Sequence, residues 1–239
     1  MKQQLTSIAL ASALGLAAMS SAQAEGLSFN IGAVSLYKSN GIDQDSRETK
    51  AFRPAIQGGV DYDFGNGFYV GNWNSTGKFN ATDDDDNVIG TANIEIDLYA
   101  GFSKELSNGL SYDFGVARYI YPGAAGFGNA NEWYASFTYS IVTAKITRGF
   151  GNGNKDQRLS LAIEQPLSDK LTIKAVVGKR NSNHSSGTGA ADFGVGLAYD
   201  MGDDLSLSAM VSGAQKSKLN ADSQDAGKTR LIVGFSKSF

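Results

Sequence analysis

Apolar and polar side chains alternate with a period of two along this chain, in successive segments of about ten residues. The clearest segment runs from Thr91 to Glu105, where alternate positions are apolar: Ile94, Ile96, Leu98, Ala100 and Phe102. The positions between them are mostly polar or small: Asn93, Glu95, Asp97, Tyr99 and Gly101. Successive side chains of a β-strand point to opposite faces, so each segment predicts a strand with one apolar and one polar face. We count about twelve such segments, with starts near Leu27, Arg53, Phe68, Thr91, Leu110, Glu132, Thr143, Arg158, Leu171, Ala191, Leu205 and Thr229.

The connections between these segments fall into two classes that alternate along the chain. Short turns rich in Gly, Asn, Asp or Ser lie at 65–67, 107–109, 140–142, 168–170 and 202–204. Longer polar connections lie at 39–52, 78–90, 122–131, 151–157, 181–190 and 215–228. Transmembrane β-barrels have this organisation, and they must be closed because lipid cannot satisfy a free strand edge. We therefore predict an all-β protein: a closed antiparallel transmembrane β-barrel of about twelve strands, with short periplasmic turns and long extracellular loops.

The first residues are typical of a secretory signal peptide. Lys2 is followed by an apolar stretch and then by small residues that end at Ala24. We predict that residues 1–24 are cleaved off after export across the inner membrane. Residues 25–239 would then form the barrel in the cell outer membrane.

The composition excludes several classes of site. There is no Cys and a single His, so a disulfide framework, a Cys-ligated zinc site and a catalytic thiol are excluded. We expect no cofactor and no metal. Lys and Arg number 21 against 24 Asp and Glu, a balance that argues against nucleic acid as a partner. The 29 Gly against 3 Pro fit a small barrel in which glycine relieves crowding on a curved inner wall.

The last segment ends the chain on an aromatic residue. Leu231, Val233, Phe235 and Phe239 share one face, although Lys237 interrupts it. We interpret Phe235 and the terminal Phe239 as an assembly signal for the barrel assembly machinery.

Alternation also assigns a charged set to the inner face. The predicted pore-lining residues are Arg53, Gln57, Asp61, Asp63, Glu95, Asp97, Asp113, Lys145, Glu164, Lys174 and Arg230. The same alternation places Glu132, Arg180, Asp192 and Asp200 inside. Opposed charges can line a wet, selective pathway, or they can bind each other and plug a narrow barrel. Because acids outnumber bases in this set, we expect a conducting barrel to prefer cations weakly.

Aromatic residues near the strand ends predict interface girdles. One group lies beside the short turns: Tyr62, Phe64, Phe68, Tyr112, Phe114 and Tyr199. Another lies towards the long connections: Tyr37, Trp73, Tyr119, Tyr121, Trp133 and Phe150. Arg118 and Arg148 continue the apolar face near that second level, where they would either bind lipopolysaccharide phosphates or extend to the headgroups of outer-membrane lipid.

Two segments invite other chemistry. His184 and Ser186 are two residues apart, an arrangement that a hydrolase at the barrel rim could use, but no third residue is identified that would orient His184. We therefore predict no catalytic residue and no enzyme activity. The run from Asp83 to Asp86 is either a solvated acidic loop or a weak site for a hard cation, and it lacks the spacing of a calcium loop.

Several longer motifs resemble the TorF family of porins from proteobacteria. They read Arg-Pro-Ala-Ile-Gln-Gly-Gly-Val-Asp-Tyr at 53–62, Gly-Phe-Tyr-Val-Gly-Asn-Trp at 67–73, Ile-Asp-Leu-Tyr-Ala-Gly-Phe at 96–102, Leu-Ser-Tyr-Asp-Phe-Gly-Val at 110–116 and Tyr-Pro-Gly at 121–123. The resemblance implies an outer-membrane porin or channel for diffusion of small hydrophilic solutes or ions, and names no solute. A closed structural or adhesive barrel is the alternative, followed by a rim-acting hydrolase.

Overall fold

A computed structural model describes residues 26–45, 51–82, 87–124, 130–151, 155–181, 189–219 and 224–239. Within these ranges, most of the chain is β-strand. The strands are β1 (Gly26–Val34), β2 (Lys38–Ser39), β3 (Ile42–Asp43), β4 (Ala55–Asp63), β5 (Phe68–Thr82), β6 (Val88–Glu105), β7 (Leu110–Ile120), β8 (Ala130–Tyr139), β9 (Val142–Phe150), β10 (Gln157–Pro166), β11 (Leu171–Asn181), β12 (Ala190–Gly202), β13 (Leu205–Ala214) and β14 (Arg230–Ser238). A 3₁₀ turn covers Lys216–Lys218.

Twelve of the described strands form one closed antiparallel barrel. Strands β4 to β14 pair in chain order, and β1 closes the ring by pairing with both β14 and β4. The predicted closed barrel of about twelve strands is confirmed. β2 and β3 form a separate small hairpin inside the connection between β1 and β4. No helix in the described ranges is long and apolar enough to cross a membrane.

The two ends of the barrel differ in their connections. At one end, which we call the short-turn end, the strands are joined at 64–67, 106–109, 140–141, 167–170 and 203–204. At the other, the long-connection end, 35–54, 121–129, 151–156, 182–189 and 215–229 lie between strands. Asp203, Asp204 and Ser140 adopt positive φ in the tight turns, which Asp tolerates better than most residues.

The outer face of the barrel is apolar, as β1 illustrates. Leu27, Phe29 and Ile31 are 47–56% exposed, whereas Ser28 and Asn30 between them are half-buried. The same alternation continues around the ring, where exposed Val, Leu, Ile and Phe side chains occupy the outward positions of most strands. An apolar exterior around a polar interior is the inverse of a water-soluble β-sandwich, and it fits a barrel that faces lipid.

A bulge near the long-connection end of β5 and β6 changes which side chains face inward there. The pairing shifts between Thr76 and Phe79, which leaves Asn93 without a partner position on β5. Asn93 was predicted to share the inner face with Glu95; this was wrong, because the bulge reverses the alternation and Asn93 is exposed. The predicted connection at 78–90 was also too long, since β5 continues to Thr82 and β6 starts at Val88.

The aromatic prediction holds at the short-turn end and only in part at the long-connection end, where Phe150 is exposed but the rings of Tyr37, Trp73, Tyr119 and Tyr121 face the interior. At the short-turn end, Phe64, Phe68 and Phe114 are exposed, and Phe68 packs edge-on against Phe102 with ring centroids 4.9 Å apart. At the long-connection end, Tyr37 and Trp73 are buried and pack on each other inside the barrel at 5.7 Å. Their place in an outer girdle was therefore wrong.

Two asparagines interrupt the apolar exterior on β5. Asn72 and Asn74 stand on the same outward face as Val70 and bind each other, with Asn74 Nδ2 donating to Asn72 Oδ1 at 2.6 Å. Asn72 also donates to the carbonyl oxygen of Asp97 at 3.1 Å. Mutual pairing lowers the cost of amides on a lipid-facing wall.

The connection after β1 folds back over the long-connection end through a buried ion cluster. Asp43 accepts from Lys38 Nζ at 2.6 Å and from Arg53 Nη2 at 2.7 Å, and Lys38 also donates to the carbonyl oxygen of Ala226 at 2.7 Å. Burial lowers the pKa of Lys38, and the bond to Asp43 opposes that effect. The cluster ties the β2–β3 hairpin both to the start of β4 and to the segment before β14.

A hydrophobic cluster lies beneath this hairpin and fills part of the interior at the long-connection end. Its members come from the hairpin segment and from the upper parts of the neighbouring strands: Val34, Leu36, Tyr37, Ala55, Trp73, Phe79, Ala81, Ala92, Ala124 and Ile232.

The carboxy terminus takes part in closing the barrel. The Phe239 N–H donates to the carbonyl oxygen of Phe29 at 2.9 Å, and the Phe29 N–H donates to Phe239 at 3.2 Å. The terminal residue thus extends the β1–β14 ladder by one pair.

We expect deletion of Phe239 to impair assembly, because it removes both of these closing hydrogen bonds and the aromatic ring. Phe239→Ala keeps the backbone and should have a smaller effect. The measurement is the amount of membrane-associated protein that resists SDS until it is boiled, with Ser238→Ala as control. Wild-type amounts of heat-modifiable protein in the deletion variant would contradict this expectation.

We expect Asp43→Asn to loosen the hairpin, because removing one partner of a buried ion pair costs about 3–5 kcal/mol. Lys38 would then be buried without its carboxylate. Limited proteolysis should cut the variant within 35–54 faster than the wild type. Asp169→Asn, which alters an exposed turn residue, is the control. Equal cleavage rates for the wild type and Asp43→Asn would show that the cluster does not hold the hairpin.

Candidate solute pathway through the barrel

Charged side chains on the inner face are segregated around the ring. A group on β4 to β8, which we call the acidic wall, contains Asp61, Asp63, Glu95, Asp97, Asp113 and Glu132. A group on β9, β10, β11 and β14, the basic wall, contains Lys145, Arg158, Lys174, Arg180 and Arg230. Asp192 and Asp200 on β12 and Glu164 on β10 lie on the basic side. This segregation places a transverse electric field across the interior.

Tyrosines bind most of the acidic wall. Tyr69 donates to Asp113 at 2.6 Å and shares a hydrogen bond with Tyr134 at 2.5 Å. Tyr99 donates to Asp61. Nearer the long-connection end, Tyr121 donates to Glu95 at 2.8 Å, and Tyr119 donates to Glu132 at 3.2 Å. The acidic wall is therefore held by phenols, which orient its carboxyl groups.

Glycines on the neighbouring strands make room for these rings. Gly101 lies opposite Tyr69 in the ladder, and a Cβ there would come within 2.4 Å of the Tyr69 hydroxyl. Gly115 lies opposite Tyr134, and a Cβ would come within 2.3 Å of its hydroxyl. Glycine was expected to relieve crowding on the inner wall. At these two positions it does so by making room for a Tyr ring, which lies across a residue with no side chain.

The basic wall is partly neutralised by ion pairs. Arg158 forms a bidentate pair with Asp192, at 2.9 Å through Nε and 2.6 Å through Nη2. Lys174 binds Glu164 at 2.9 Å, and Lys145 lies 4.8 Å from the centre of the Tyr134 ring. Arg158 was missing from the predicted inner set. Its parity with Glu164 on β10 was the signal that could have found it.

Other predicted residues lie at the margins of the pathway. Arg53 precedes β4 and belongs to the hairpin cluster rather than to the barrel wall. Asp63 accepts a hydrogen bond from the backbone of Gly65 in a short turn. The Glu164 side chain is 55% exposed near the short-turn end, so that part of the inner face is open to solvent. Arg230 lies 3.9 Å from Asp225.

A patch on β4 to β6 contains buried polar atoms without hydrogen-bond partners. The atoms are Gln57 Oε1, Trp73 Nε1, Glu95 Oε2 and Asp97 Oδ1. Glu95 and Asp97 are 3% and 4% exposed. We call these four side chains the inner patch; sequence reasoning had placed Trp73 in an outer girdle.

On the outer face, Arg118 and Arg148 are exposed near the long-connection end. Arg118 donates to Asn131 at 3.1 Å across the β7–β8 ladder. The positions of both side chains agree with the outward assignment that alternation made.

The remaining candidate chemistry cannot be placed. His184, Ser186 and the run from Asp83 to Asp86 lie outside the described residues. Within the ranges that the structure covers, no three His, Cys, Asp or Glu side chains are grouped so that they could hold a metal ion.

Solved structures with the same fold include a porin and an outer membrane channel. The KdgM porin has a TM-score of 0.59 at 13% identity, covering 89% of this chain and 99% of that one. An outer membrane channel from Pseudomonas putida F1 has a TM-score of 0.53 at 9% identity, covering 92% and 97%. LpxR from Salmonella typhimurium has a TM-score of 0.51 at 10% identity, covering 89% and 99%. At these identities the likeness shows the fold.

Sequence comparison gives a family without a function. No curated protein matches the chain. A family model described as a bacterial protein of unknown function, Gcw_chp, matches residues 18–239. That match covers nearly the whole chain, and the protein therefore belongs to the Gcw_chp family.

Proposed function

We propose that this chain is an outer-membrane channel through which small hydrophilic solutes or ions diffuse. The observation that carries the proposal is a closed barrel with an apolar exterior and an interior lined by charged residues and tyrosines. Such an interior costs free energy in a solid plug unless every group is satisfied, whereas water and ions satisfy it in a channel. The predicted signal peptide at 1–24 and the resemblance to TorF porins agree with this location.

The structural neighbours support a channel without naming its solute. KdgM is a porin, and one structure of it was solved in complex with disordered oligogalacturonate. We transfer the class of channel to this chain and leave that ligand with KdgM. The acidic and basic walls, including all of the predicted pore-lining residues except Arg53, Gln57 and Glu164, would form the selective part of the pathway.

The hydrophobic cluster at the long-connection end would make the passage narrow there. Under this proposal the hairpin held by Asp43 limits the size of the solute, because it covers part of the mouth. The open inner face around Glu164 would form the wider entrance at the periplasmic side.

Partners follow from the same placement. The barrel assembly machinery would recognise the terminal strand with Phe235 and Phe239. Outer-membrane lipid would cover the apolar exterior, and lipopolysaccharide phosphates would meet Arg118 and Arg148 near the long-connection end.

A conducting barrel should prefer cations, because carboxylates line one continuous wall while the bases opposite are partly paired. We expect the refolded protein to conduct in a planar bilayer, with a reversal potential in a KCl gradient that indicates weak cation preference. Replacing Asp61, Glu95 and Asp97 by Asn, Gln and Asn should move that potential towards the anion side.

The matched control removes the same number of charges from the turns, as Asp169→Asn, Asp203→Asn and Asp204→Asn. These residues are exposed at the short-turn end. Clear anion preference of the wild type, or a potential unchanged by the triple replacement in the wall, would point to the basic wall as the selective element. Absence of conductance would contradict the proposed channel function and favour a closed structural or adhesive barrel.

A rim-acting hydrolase is the second candidate, because His184 and Ser186 stand two residues apart in the sequence. We expect no hydrolysis of phospholipid vesicles by the wild-type protein. If the wild type hydrolyses the phospholipid and His184→Ala abolishes that activity, the enzyme function would be favoured over the channel.

A further inference from the structure

The four side chains of the inner patch are neighbours in the barrel ladder. Trp73 on β5 lies directly opposite Asp97 on β6. Two residues after Trp73, towards the long-connection end, Ser75 lies between Gln57 on β4 and Glu95 on β6. Alternation points all of these side chains inward, so the unpartnered oxygens of Gln57, Glu95 and Asp97 belong to one part of the inner face.

The other hydrogen-bonding atoms of these residues show that the patch is built rather than loose. Gln57 Nε2 donates to Ser75 Oγ at 3.1 Å, and Glu95 Oε1 accepts from Tyr121 at 2.8 Å. Gln57 and Glu95 are thus each held at one atom while an acceptor oxygen is left over, and Asp97 Oδ1 and the Trp73 Nε1 donor are also unpartnered. Buried acceptors without donors are rare in folded proteins, and a buried carboxylate is the costliest case.

The basic wall does not supply the missing donors. Arg158 is bound to Asp192, and Lys174 is bound to Glu164. Lys145 lies over the Tyr134 ring, nearer to the short-turn end. These three cations are engaged elsewhere, and the patch has three acceptor oxygens, two of them on carboxylates.

Aromatic rings surround the same patch. Tyr37 packs on Trp73 at 5.7 Å from the hairpin side, and Tyr119 lies opposite Asp97 on β7. Tyr121 lies directly after β7 and donates to Glu95. The faces of Trp and Tyr attract a cation that has lost its water.

We propose that the inner patch binds a primary ammonium group, and that the solutes of this channel include amines. The inference rests on the proposed channel function and gives it a substrate class. A primary ammonium group has three N–H donors, which equals the number of unpartnered acceptor oxygens. Its single positive charge offsets one of the two carboxylate charges of Glu95 and Asp97, and the rings of Tyr37 and Trp73 replace part of its hydration shell.

The ligand chemistry disfavours a hard metal ion as the occupant. Calcium takes six to eight oxygen ligands and magnesium demands six in octahedral geometry. The patch offers three acceptor oxygens, and no three carboxylate or His side chains of the described chain are grouped for metal binding.

The test uses methylammonium chloride as the probe, with KCl at equal ionic strength as reference. A ligand that binds the folded state raises the unfolding temperature. We expect methylammonium to raise the unfolding temperature of the refolded, detergent-solubilised barrel above its value in KCl. In a bilayer, methylammonium should reduce the potassium current in a saturable manner.

Glu95→Gln with Asp97→Asn keeps the shape of the patch and removes its charge. Both effects of methylammonium should disappear in this double variant and persist in the turn control that replaces Asp169, Asp203 and Asp204. Gln57→Met removes one acceptor without altering charge. It should raise the methylammonium concentration that gives half of either effect by about tenfold or less, as loss of one hydrogen bond does. This variant serves as the second test if the double variant does not fold.

The outcomes separate this inference from the channel itself. A barrel that conducts but responds to methylammonium and KCl alike overturns the amine site and leaves the channel. A methylammonium effect that survives in both patch variants also overturns it. Stabilisation by methylammonium in a barrel without conductance keeps the site and rejects the channel.

Discussion

Closure of the β1–β14 seam is the constraint on which every other feature of this barrel depends. An open twelve-stranded sheet would leave two rows of backbone donors and acceptors facing lipid, and each unsatisfied group there costs several kcal/mol. The seam is formed by the first and last strands of the barrel. The interior is therefore enclosed only once β1 and β14 have paired. With no Cys in the chain, no disulfide can join these strands, and the hydrogen-bonded ladder is what links the two ends of the barrel.

Once the ring is closed, side-chain alternation sorts the chain into an apolar exterior and a charged interior. The interior is then organised by which strand a residue occupies: the carboxylates come mostly from β4 to β8, and the bases mostly from β9 to β14. Under the proposed channel function, a solute inside the barrel would meet opposite charges on opposite sides. Such an arrangement orients a dipolar solute as well as selecting for charge.

Local periodicity predicted the strands, their number and the closed barrel, because each strand carries its own alternation. It failed where alternation is broken or where distant strands decide the outcome. Asn93 was placed on the wrong face because a bulge cannot be seen in a period-two pattern. Tyr37 and Trp73 were assigned to a lipid girdle because an aromatic near a strand end has the same sequence appearance whether it faces outward or inward. The inner patch needed the register between β4, β5 and β6, which sets Trp73 opposite Asp97 and which no single segment contains.

The tyrosine rings that lie across glycines have a consequence for the calibre of the barrel. Gly71, Gly101 and Gly115 each leave a recess in the wall, and Tyr99, Tyr69 and Tyr134 occupy those recesses. A methyl group at any of the three would lift a phenol off the wall towards the axis. The width of the interior at this level is therefore set by residues that have no side chain, because a methyl group at any of them would meet a Tyr ring and, at Gly71, the Asp61 carboxylate as well.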